Sequence, residues 1–304
     1  MRNSLVDTFL SKAKTDKNCV FITGDLGFNV LDKIYNELPK QFINVGIAEQ
    51  NMASVAAGMA LEGKCVFIYS IGNFSTLRCL EQIRNDICYH NLNVKIVSLA
   101  AGFAYGQLGM THHATEDISC IRVMPNVCVF SPCDPLETIA VTKAAMEINT
   151  PCFIRLGRGG EPKLWKTFDS FEIGKAYKMF DGGDGVVFST GSITKEAIDA
   201  VEEMKKRGKN IALYTFPTIK PIDESVIKEC AQKYKKIVTL EEHQNVGGFG
   251  SAVSEVVSKM KGNRASVESI GLNGTFTCIV GDTDYLRKHY HLDSSAVVEA
   301  LSNE

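Results

Sequence analysis

Two short stretches of the sequence place chemically active side chains beside apolar residues. In the first, residues 42–52, Glu49 follows Val45-Gly46-Ile47 and opens a run rich in Ala and Gly. A glutamate at the start of a helix most often only compensates the helix dipole. Between apolar neighbours, however, the carboxylate is partly removed from water, which makes it available for proton transfer. Glu49 is therefore the first candidate catalytic residue.

The second stretch, residues 106–117, gathers His112, His113, Glu116 and Asp117 in a predicted loop. Adjacent histidines point in different directions and lack the i, i+4 spacing of a helical zinc pair, so a metal site is disfavoured and we predict no metal ligands. The pattern favours a loop histidine that contacts substrate or transfers a proton. Ordinary surface polarity is the alternative.

The elements that must position these residues follow from the order of the apolar runs. Short apolar runs alternate with helix-length stretches, and the alternation restarts near residue 185, which is typical of parallel α/β sheets. The predicted strands are 19–21, 65–69, 94–98, 127–130, 152–155, 185–189, 210–215 and 236–240. The predicted helices are 50–62, 77–89, 136–147, 194–207 and 224–234, with one more ending near 260.

A change of composition divides the chain into two predicted α/β domains. The stretch from about Leu164 to Gly185 is polar, aromatic and glycine-containing, without a sustained period, which is typical of an interdomain linker. We therefore expect a parallel-sheet domain over residues 1–165, a linker over 166–184 and a smaller α/β domain over 185–304.

The composition excludes several classes of partner. The 304 residues include 33 Lys and Arg against 35 Asp and Glu, a formal net charge of -2, so neither nucleic acid nor an anionic membrane is expected. The first residues are too polar for a signal peptide, and no apolar run reaches the roughly 18 residues of a membrane span, so we expect a cytoplasmic protein. The ten cysteines form no CxxC pair and are expected to be reduced core residues.

Several segments, in their order and spacing, resemble the C-terminal half of transketolase over nearly the whole chain. They are TGDL at 23–26, NVGIAEQNM at 44–52, YSIGNF at 69–74, EQIRND at 81–86, GMTH at 109–112, FIRLGR at 153–158, TIKPID at 218–223 and VTLEEH at 238–243. The resemblance is to the pyrimidine-binding domain followed by the C-terminal domain, as in bacteria that encode the enzyme as two polypeptides. It implies a thiamine diphosphate enzyme that transfers a two-carbon ketol unit from a ketose to an aldose.

The resemblance also implies roles for individual residues toward the cofactor. Glu49 matches the glutamate that hydrogen-bonds the aminopyrimidine and promotes its imino tautomer. Phe74 resembles the aromatic residue that stacks on that ring, although a small slip in the alignment leaves Ile71 as a competitor. Asp25 matches the acid that contacts the cofactor across the subunit interface.

Two departures from the family pattern concern the substrate. Leu108 stands where the usual enzyme has an Asp, four residues before His112, and Asn29 replaces a serine that helps to hold the sugar phosphate. His112 and Arg158 match positions that contact the anion of the sugar, and His112 is also the candidate for proton transfer. The resemblance therefore implies an anionic sugar, and the departures point away from the standard pentose phosphates.

The diphosphate-binding domain of transketolase has no counterpart in this sequence. Gly183-Asp184-Gly185 copies the metal and diphosphate motif superficially, but it precedes a predicted strand, whereas the motif needs the carboxyl end of one, so we predict a turn. The resemblance therefore implies a second, N-terminal polypeptide that supplies the diphosphate site and the Mg²⁺ ligands, in an α2β2 heterotetramer.

Three other readings of the sequence stay open. The β subunit of a 2-oxo acid dehydrogenase shares both domains, and half of a 1-deoxyxylulose-phosphate synthase is also similar. Thr111-His112 and Gly157-Arg158-Gly159 favour transketolase over the dehydrogenase. A catalytically inert subunit with the same fold is disfavoured by the presence of Glu49.

Overall fold

Two mostly parallel β-sheets organise the chain in this computed structural model, which describes residues 1–303. The first sheet contains β1 (Cys19–Thr23), β2 (Phe42–Asn44), β3 (Cys65–Ile71), β4 (Val94–Leu99), β5 (Cys128–Phe130), β6 (Cys152–Leu156) and β10 (Thr218–Lys220). The second contains β7 (Tyr177–Phe180), β8 (Gly185–Ser189), β9 (Ile211–Thr215), β11 (Lys236–Gln244) and β12 (Ser266–Leu272). The strand orders are β10-β5-β6-β4-β3-β1-β2 and β12-β11-β8-β9-β7. The predicted α/β class with two units is confirmed.

Helices cover the faces of both sheets. The α-helices are α1 (Arg2–Ala13), α2 (Asp32–Glu37), α3 (Glu49–Leu61), α4 (Gly72–Ser75), α5 (Leu80–Gln82), α6 (Asp117–Arg122), α7 (Pro135–Glu147), α8 (Thr194–Lys206), α9 (Glu224–Lys233), α10 (Phe249–Ser258), α11 (Thr283–His289) and α12 (Ser294–Ser302). Strands β1, β4 and β6 are buried along their whole length, as expected of parallel strands covered on both sides. Within residues 1–303, no helix combines the length and apolarity needed to cross a bilayer.

Local sequence signals explain where several of these elements begin. The Asp134 side chain accepts hydrogen bonds from the backbone N–H groups of Leu136 and Glu137, and Pro135 occupies the first turn of α7, as predicted. Helix α3 begins at Glu49, one residue before its predicted start, and its small residues let it pack closely against β3. Glu49 is therefore fixed at the first position of a helix whose inner face is buried.

Four strands, β2, β7, β10 and β12, lie where the sequence pattern predicts none, and all four are at sheet edges. Residues 177–180, assigned to the linker, form β7, which pairs antiparallel with β9 at the edge of the second sheet. Residues 218–220 form β10, which returns to the first sheet and pairs antiparallel with β5. Both are short edge strands whose pairing is non-local, so local periodicity could not reveal them. The second half of the chain thus adds a strand to the first sheet.

The stretch predicted as one helix over 77–89 is broken into several turns. Helix α4 is followed by a 3₁₀ turn at Leu77–Cys79, then α5, then a π-helical segment at Ile83–Cys88. The broken path follows directly from the carboxyl end of β3. Irregular helical turns of this kind are frequent at functional sites.

The cysteines follow the expected burial with exceptions. Seven are buried core residues, whereas Cys120 and Cys128 are partly exposed and Cys278 is exposed. All ten are free thiols. The prediction of reduced core cysteines is therefore confirmed for most of them and wrong for Cys278.

Candidate functional site

The carboxyl ends of four neighbouring parallel strands bring the predicted site residues to one edge of the first sheet. Asp25 follows β1, Glu49 begins α3 after β2, and Phe74 lies in α4 directly after β3. Strand β4 leads into the loop that contains His112. In open α/β sheets, ligands bind outside this edge because the connecting loops meet there.

Glu49 is buried but has unequal contacts at its two carboxylate oxygens. The residue is only 2% exposed. Arg78 Nη1 donates to Oε2 at 2.7 Å, whereas Oε1 has only a 3.4 Å contact from the Ser70 hydroxyl. Gly24 borders the carboxylate, since a Cβ there would lie 3.4 Å from Glu49 Cγ. One oxygen is thus held by a cation, and the other is available to a ligand.

Arg78 also contacts the predicted stacking residue. Its guanidinium carbon lies 4.2 Å from the centroid of the Phe74 ring. Ile71, the competing residue, ends β3 and is half-buried. Sequence reasoning missed Arg78, because the chain leaves the helical path at Thr76, between Phe74 and Arg78, and no helical period links the two side chains.

His112 continues this series of contacts. Its ring packs edge-on against Phe74 at 5.2 Å and against Tyr105 at 6.3 Å between centroids. The Thr111 hydroxyl lies 3.0 Å from Nδ1, which leaves Nε2 for a substrate. Burial, and secondly the neighbouring His113, lower the pKa of His112. The imidazole is therefore neutral near pH 7 and able to accept a proton.

His113 has a structural role instead. It is 2% exposed, its Nε2 bonds to the Gly106 carbonyl oxygen at 3.0 Å, and its Nδ1 bonds to the Thr277 hydroxyl of the second domain. The two adjacent rings point in different directions, as predicted. Only His112 faces the site.

Arg158 and Leu108 line a cavity of about 860 Å³ between the two domains. The Arg158 guanidinium lies 5.9 Å from the Tyr105 ring centroid, which connects it to His112. Leu108 is 56% exposed and ends a 3₁₀ turn at Gly106–Leu108. Glu49, Phe74, His112 and Arg158 therefore belong to one continuous series of contacts, completed by Arg78 and Tyr105.

Asp25 and Asn29 occupy the turn after β1, beside this series. Asp25 and Asn44 exchange two hydrogen bonds of 3.0 Å, and the Asn29 N–H donates to Asp32 at 3.0 Å. Both residues have positive φ, at 57° and 63°. Within residues 1–303, no hydrogen bond or ring contact joins either of them to Glu49, Phe74, His112 or Arg158.

Comparison with known proteins decides the family. Residues 1–162 match the pyrimidine-binding domain of transketolase, and residues 174–297 match the transketolase C-terminal domain. The chain belongs to the transketolase family. These two matches, in this order, confirm the resemblance to the C-terminal part of the enzyme.

Two relatives and one solved structure match nearly the whole chain, and each is named as a subunit or a split-gene form of a transketolase. The chain is 34% identical to a subunit of the apulose-4-phosphate transketolase of Phocaeicola vulgatus, over 97% of this chain and 94% of that protein. It is 32% identical to the 6-deoxy-6-sulfo-D-fructose transketolase subunit SqwH of Clostridium sp. (strain MSTE9), over 99% of this chain and 92% of that protein. A split-gene transketolase solved as an inactive β4 tetramer superposes with a TM-score of 0.88 at 34% identity, covering 99% and 96% of the two chains.

Transketolase-family domains depend on thiamine diphosphate, and the residues present fit one half of that cofactor. The spare oxygen of Glu49 beside the Phe74 ring suits an aminopyrimidine, which needs a carboxylate for a ring nitrogen and a π face for stacking. Residues 1–303 provide no comparable binding site for the diphosphate half of the cofactor. Asp184 accepts from the Asn210 N–H at 2.6 Å in a bend at residues 183 and 184, and Gly185 already belongs to β8, so the chain bends before the strand over two of the three residues predicted as a turn. Among residues 1–303, no group of three His, Cys, Asp or Glu side chains is arranged to hold a metal ion.

Proposed function

We propose that this chain is the C-terminal subunit of a thiamine diphosphate-dependent transketolase that transfers a two-carbon ketol unit from an anionic ketose to an aldose. The observation that supports this most directly is the buried Glu49 carboxylate, with Oε2 held by Arg78 and Oε1 nearly free. A carboxylate with one free oxygen can bond to a ring nitrogen through a shared proton.

The proposed cofactor contacts use residues at the ends of β1, β2 and β3. Glu49 Oε1 holds and shares the proton of the aminopyrimidine nitrogen, Phe74 or Ile71 provides the wall on which the ring stacks, and Asp25 contacts the cofactor across the subunit interface. When bound, thiamine diphosphate supplies the electron sink that bond cleavage beside a ketose carbonyl requires.

The proposed substrate contacts extend from His112 toward the cavity between the domains. His112 is neutral near pH 7, so Nε2 can take a proton from a substrate hydroxyl and return it. Arg158 is exposed at the cavity and binds the anionic group of the sugar. Tyr105, between the two, keeps their separation fixed.

The proposed substrate differs from xylulose 5-phosphate. Leu108 cannot accept a hydrogen bond from the sugar hydroxyl that an Asp would bind, and Asn29 replaces the expected serine. The relatives named for apulose-4-phosphate and for 6-deoxy-6-sulfo-D-fructose act on sugars with a phosphate or a sulfo group, which agrees with an anion at Arg158. Deoxy, branched or sulfonated ketoses are therefore the candidates.

The proposed partner is an N-terminal subunit that contains the diphosphate-binding domain and the Mg²⁺ ligands. The relatives named as transketolase subunits and the split-gene tetramer support a division of the enzyme into two polypeptides. An α2β2 assembly would place the cofactor in the cleft between unlike subunits.

Reconstitution tests this proposal. The chain is mixed with the diphosphate-binding subunit of the same organism, and ketol transfer is assayed with thiamine diphosphate and Mg²⁺ across phosphorylated, deoxy, branched and sulfonated ketoses. We expect activity only in the mixture, and no micromolar cofactor binding by the isolated chain, where micromolar means about -8 kcal/mol. Decarboxylation of a 2-oxo acid without ketol transfer would support the dehydrogenase or synthase alternative and contradict the proposal.

A further inference from the structure

Arg78 connects the candidate acid to the candidate stacking residue. Its Nη1 lies 2.7 Å from Glu49 Oε2, and its guanidinium carbon lies 4.2 Å from the centroid of the Phe74 ring. One side chain therefore sets both the direction of the carboxylate and the packing of the aromatic ring.

The contact with Glu49 is needed because the carboxylate is buried. A buried charge without a partner is strongly destabilising, and a charge-assisted hydrogen bond from a guanidinium compensates it. By engaging Oε2, Arg78 also determines which oxygen stays available. The 3.4 Å contact from Ser70 is too long to hold Oε1 firmly.

The broken helical path after β3 brings Arg78 to this place. The Thr76 hydroxyl donates to the Gly72 carbonyl oxygen at 2.5 Å, and the chain then enters the 3₁₀ turn at Leu77–Cys79. The π-helical segment at Ile83–Cys88 follows after α5. The chain around Arg78 thus departs from regular α-helix. Such departures are frequent at functional sites.

We propose that Arg78 is a positioning residue for the cofactor: it holds Glu49 Oε2 and packs on Phe74, so that Oε1 and the ring receive the aminopyrimidine of thiamine diphosphate together. This inference rests on the proposed function. A lysine supplies the charge but neither the planar donor nor the stacking surface, so it replaces Arg78 only in part.

Calorimetric titration of thiamine diphosphate into the reconstituted enzyme with Mg²⁺ tests this role. Arg78→Gln should weaken binding about tenfold, since a hydrogen bond to a charged group has this order of effect and the side chain, 43% exposed, is screened by solvent. Arg78→Lys should fall between Arg78→Gln and wild type. Arg84→Gln is the matched control, because Arg84 lies on the same stretch and is exposed, and its side chain hydrogen-bonds only to Asn85 among residues 1–303.

A double variant separates positioning from a general structural role. If Arg78 acts partly through Glu49, the loss of cofactor affinity caused by Arg78→Gln should be smaller in the Glu49→Gln background than in the wild-type enzyme. Wild-type or tighter affinity in Arg78→Gln, or additive losses in the double variant, would overturn the inference. If Arg78→Gln does not assemble, Arg78→Lys is compared with wild type, and unchanged affinity in that variant also overturns it.

The same series distinguishes failure of this inference from failure of the proposed function. If Glu49→Gln loses ketol transfer while both Arg78 variants keep wild-type cofactor affinity, the proposed function is supported and only the role of Arg78 is wrong. Full activity in Glu49→Gln would remove the proposed function itself.

Discussion

Two buried glutamates, Glu49 at the sheet edge and Glu242 at the contact between the domains, differ in how completely their oxygens are bonded. Glu242 Oε1 accepts from the Phe103 N–H at 2.6 Å, and Oε2 accepts from Arg287. Glu49 has one firm contact, from Arg78, and one nearly free oxygen. Both are at most 3% exposed, so burial alone does not distinguish them. The carboxylate oxygen without a firm hydrogen bond therefore distinguishes Glu49, rather than Glu242, as the acid that is available for catalysis.

The Arg155–Asp117 pair at the same domain contact is equally saturated. Arg155 Nε donates to both Asp117 oxygens at 3.1 and 2.9 Å, and its Nη2 donates to the carbonyl oxygens of Ala114 and Glu242. The two charged side chains are 3% and 0% exposed. Substitutions at this contact should therefore change stability, and substitutions at Glu49 should change activity.

The largest expected loss of stability comes from breaking the buried pair. Arg155→Met leaves Asp117 charged and without its partner, which should lower the free energy of unfolding by about 3–5 kcal/mol. Arg207→Met is the control, because both side chains of the Arg207–Glu203 pair are exposed and the pair should contribute little to stability. Urea denaturation followed by circular dichroism measures both. Equal losses in the two variants would contradict the distinction between a saturated interior contact and a surface pair.

A pH-dependent loss should come from His243 at the same contact. Its Nδ1 donates to the Gln244 carbonyl oxygen at 2.8 Å and its Nε2 accepts from the Ser119 N–H at 3.4 Å, so both nitrogens are used by the neutral ring. Burial lowers the pKa of His243 to about 4. Because an unfolded histidine takes up a proton near pH 6.5, the contribution of His243 to stability should be lost between pH 6.5 and 4, by on the order of 3 kcal/mol.

The measurement is the difference in unfolding free energy between wild type and His243→Gln across that pH range. Asp117 and Glu241 lie 3.8 and 3.7 Å from the ring nitrogens. Burial raises the pKa of Glu241 to about 7, which stabilises the fold as the pH falls, and taking the difference between two proteins that both contain Glu241 removes this contribution. The stability of wild type relative to the variant should therefore decrease as the pH falls from 6.5 to 4. Parallel profiles would show that His243 is not the titrating group.

The smallest expected effect concerns substrate choice at Leu108. Leu108→Asp should raise kcat/KM for xylulose 5-phosphate relative to the native substrate by about ten- to a hundredfold, because a hydroxyl without a partner costs about 1–3 kcal/mol. Met110→Asp, on the same loop and 52% exposed, is the matched control. If wild type already prefers xylulose 5-phosphate and Leu108→Asp brings no gain, the proposed change of substrate is wrong.

Short-range patterns in the sequence were sufficient for much of the fold and of the site. The eight predicted strands, the cap at Asp134 and the position of Glu49 at a helix start all depend on neighbouring residues, which local patterns describe well. The bend at residues 183 and 184 could be predicted for the same reason. These features required no knowledge of how distant segments pack.

Features that depend on distant contacts could not be predicted. Arg78 reaches Glu49 only because the helical stretch after β3 is broken, and no local period signals that break. His113 could be separated from His112 only once its bond to Thr277, far along the chain, was known. Strand β10 pairs with a sheet formed by the first half of the chain, and its three residues give too short a pattern to recognise.

The most direct test of the account is the activity of Glu49→Gln in the reconstituted enzyme. The substitution keeps the shape of the side chain and removes the acid that shares the proton. We expect normal assembly, near-wild-type stability and a kcat for ketol transfer below about a tenth of wild type, a barrier increase of at least about 1.4 kcal/mol. A kcat above that fraction would contradict the assignment of Glu49 as the activating acid.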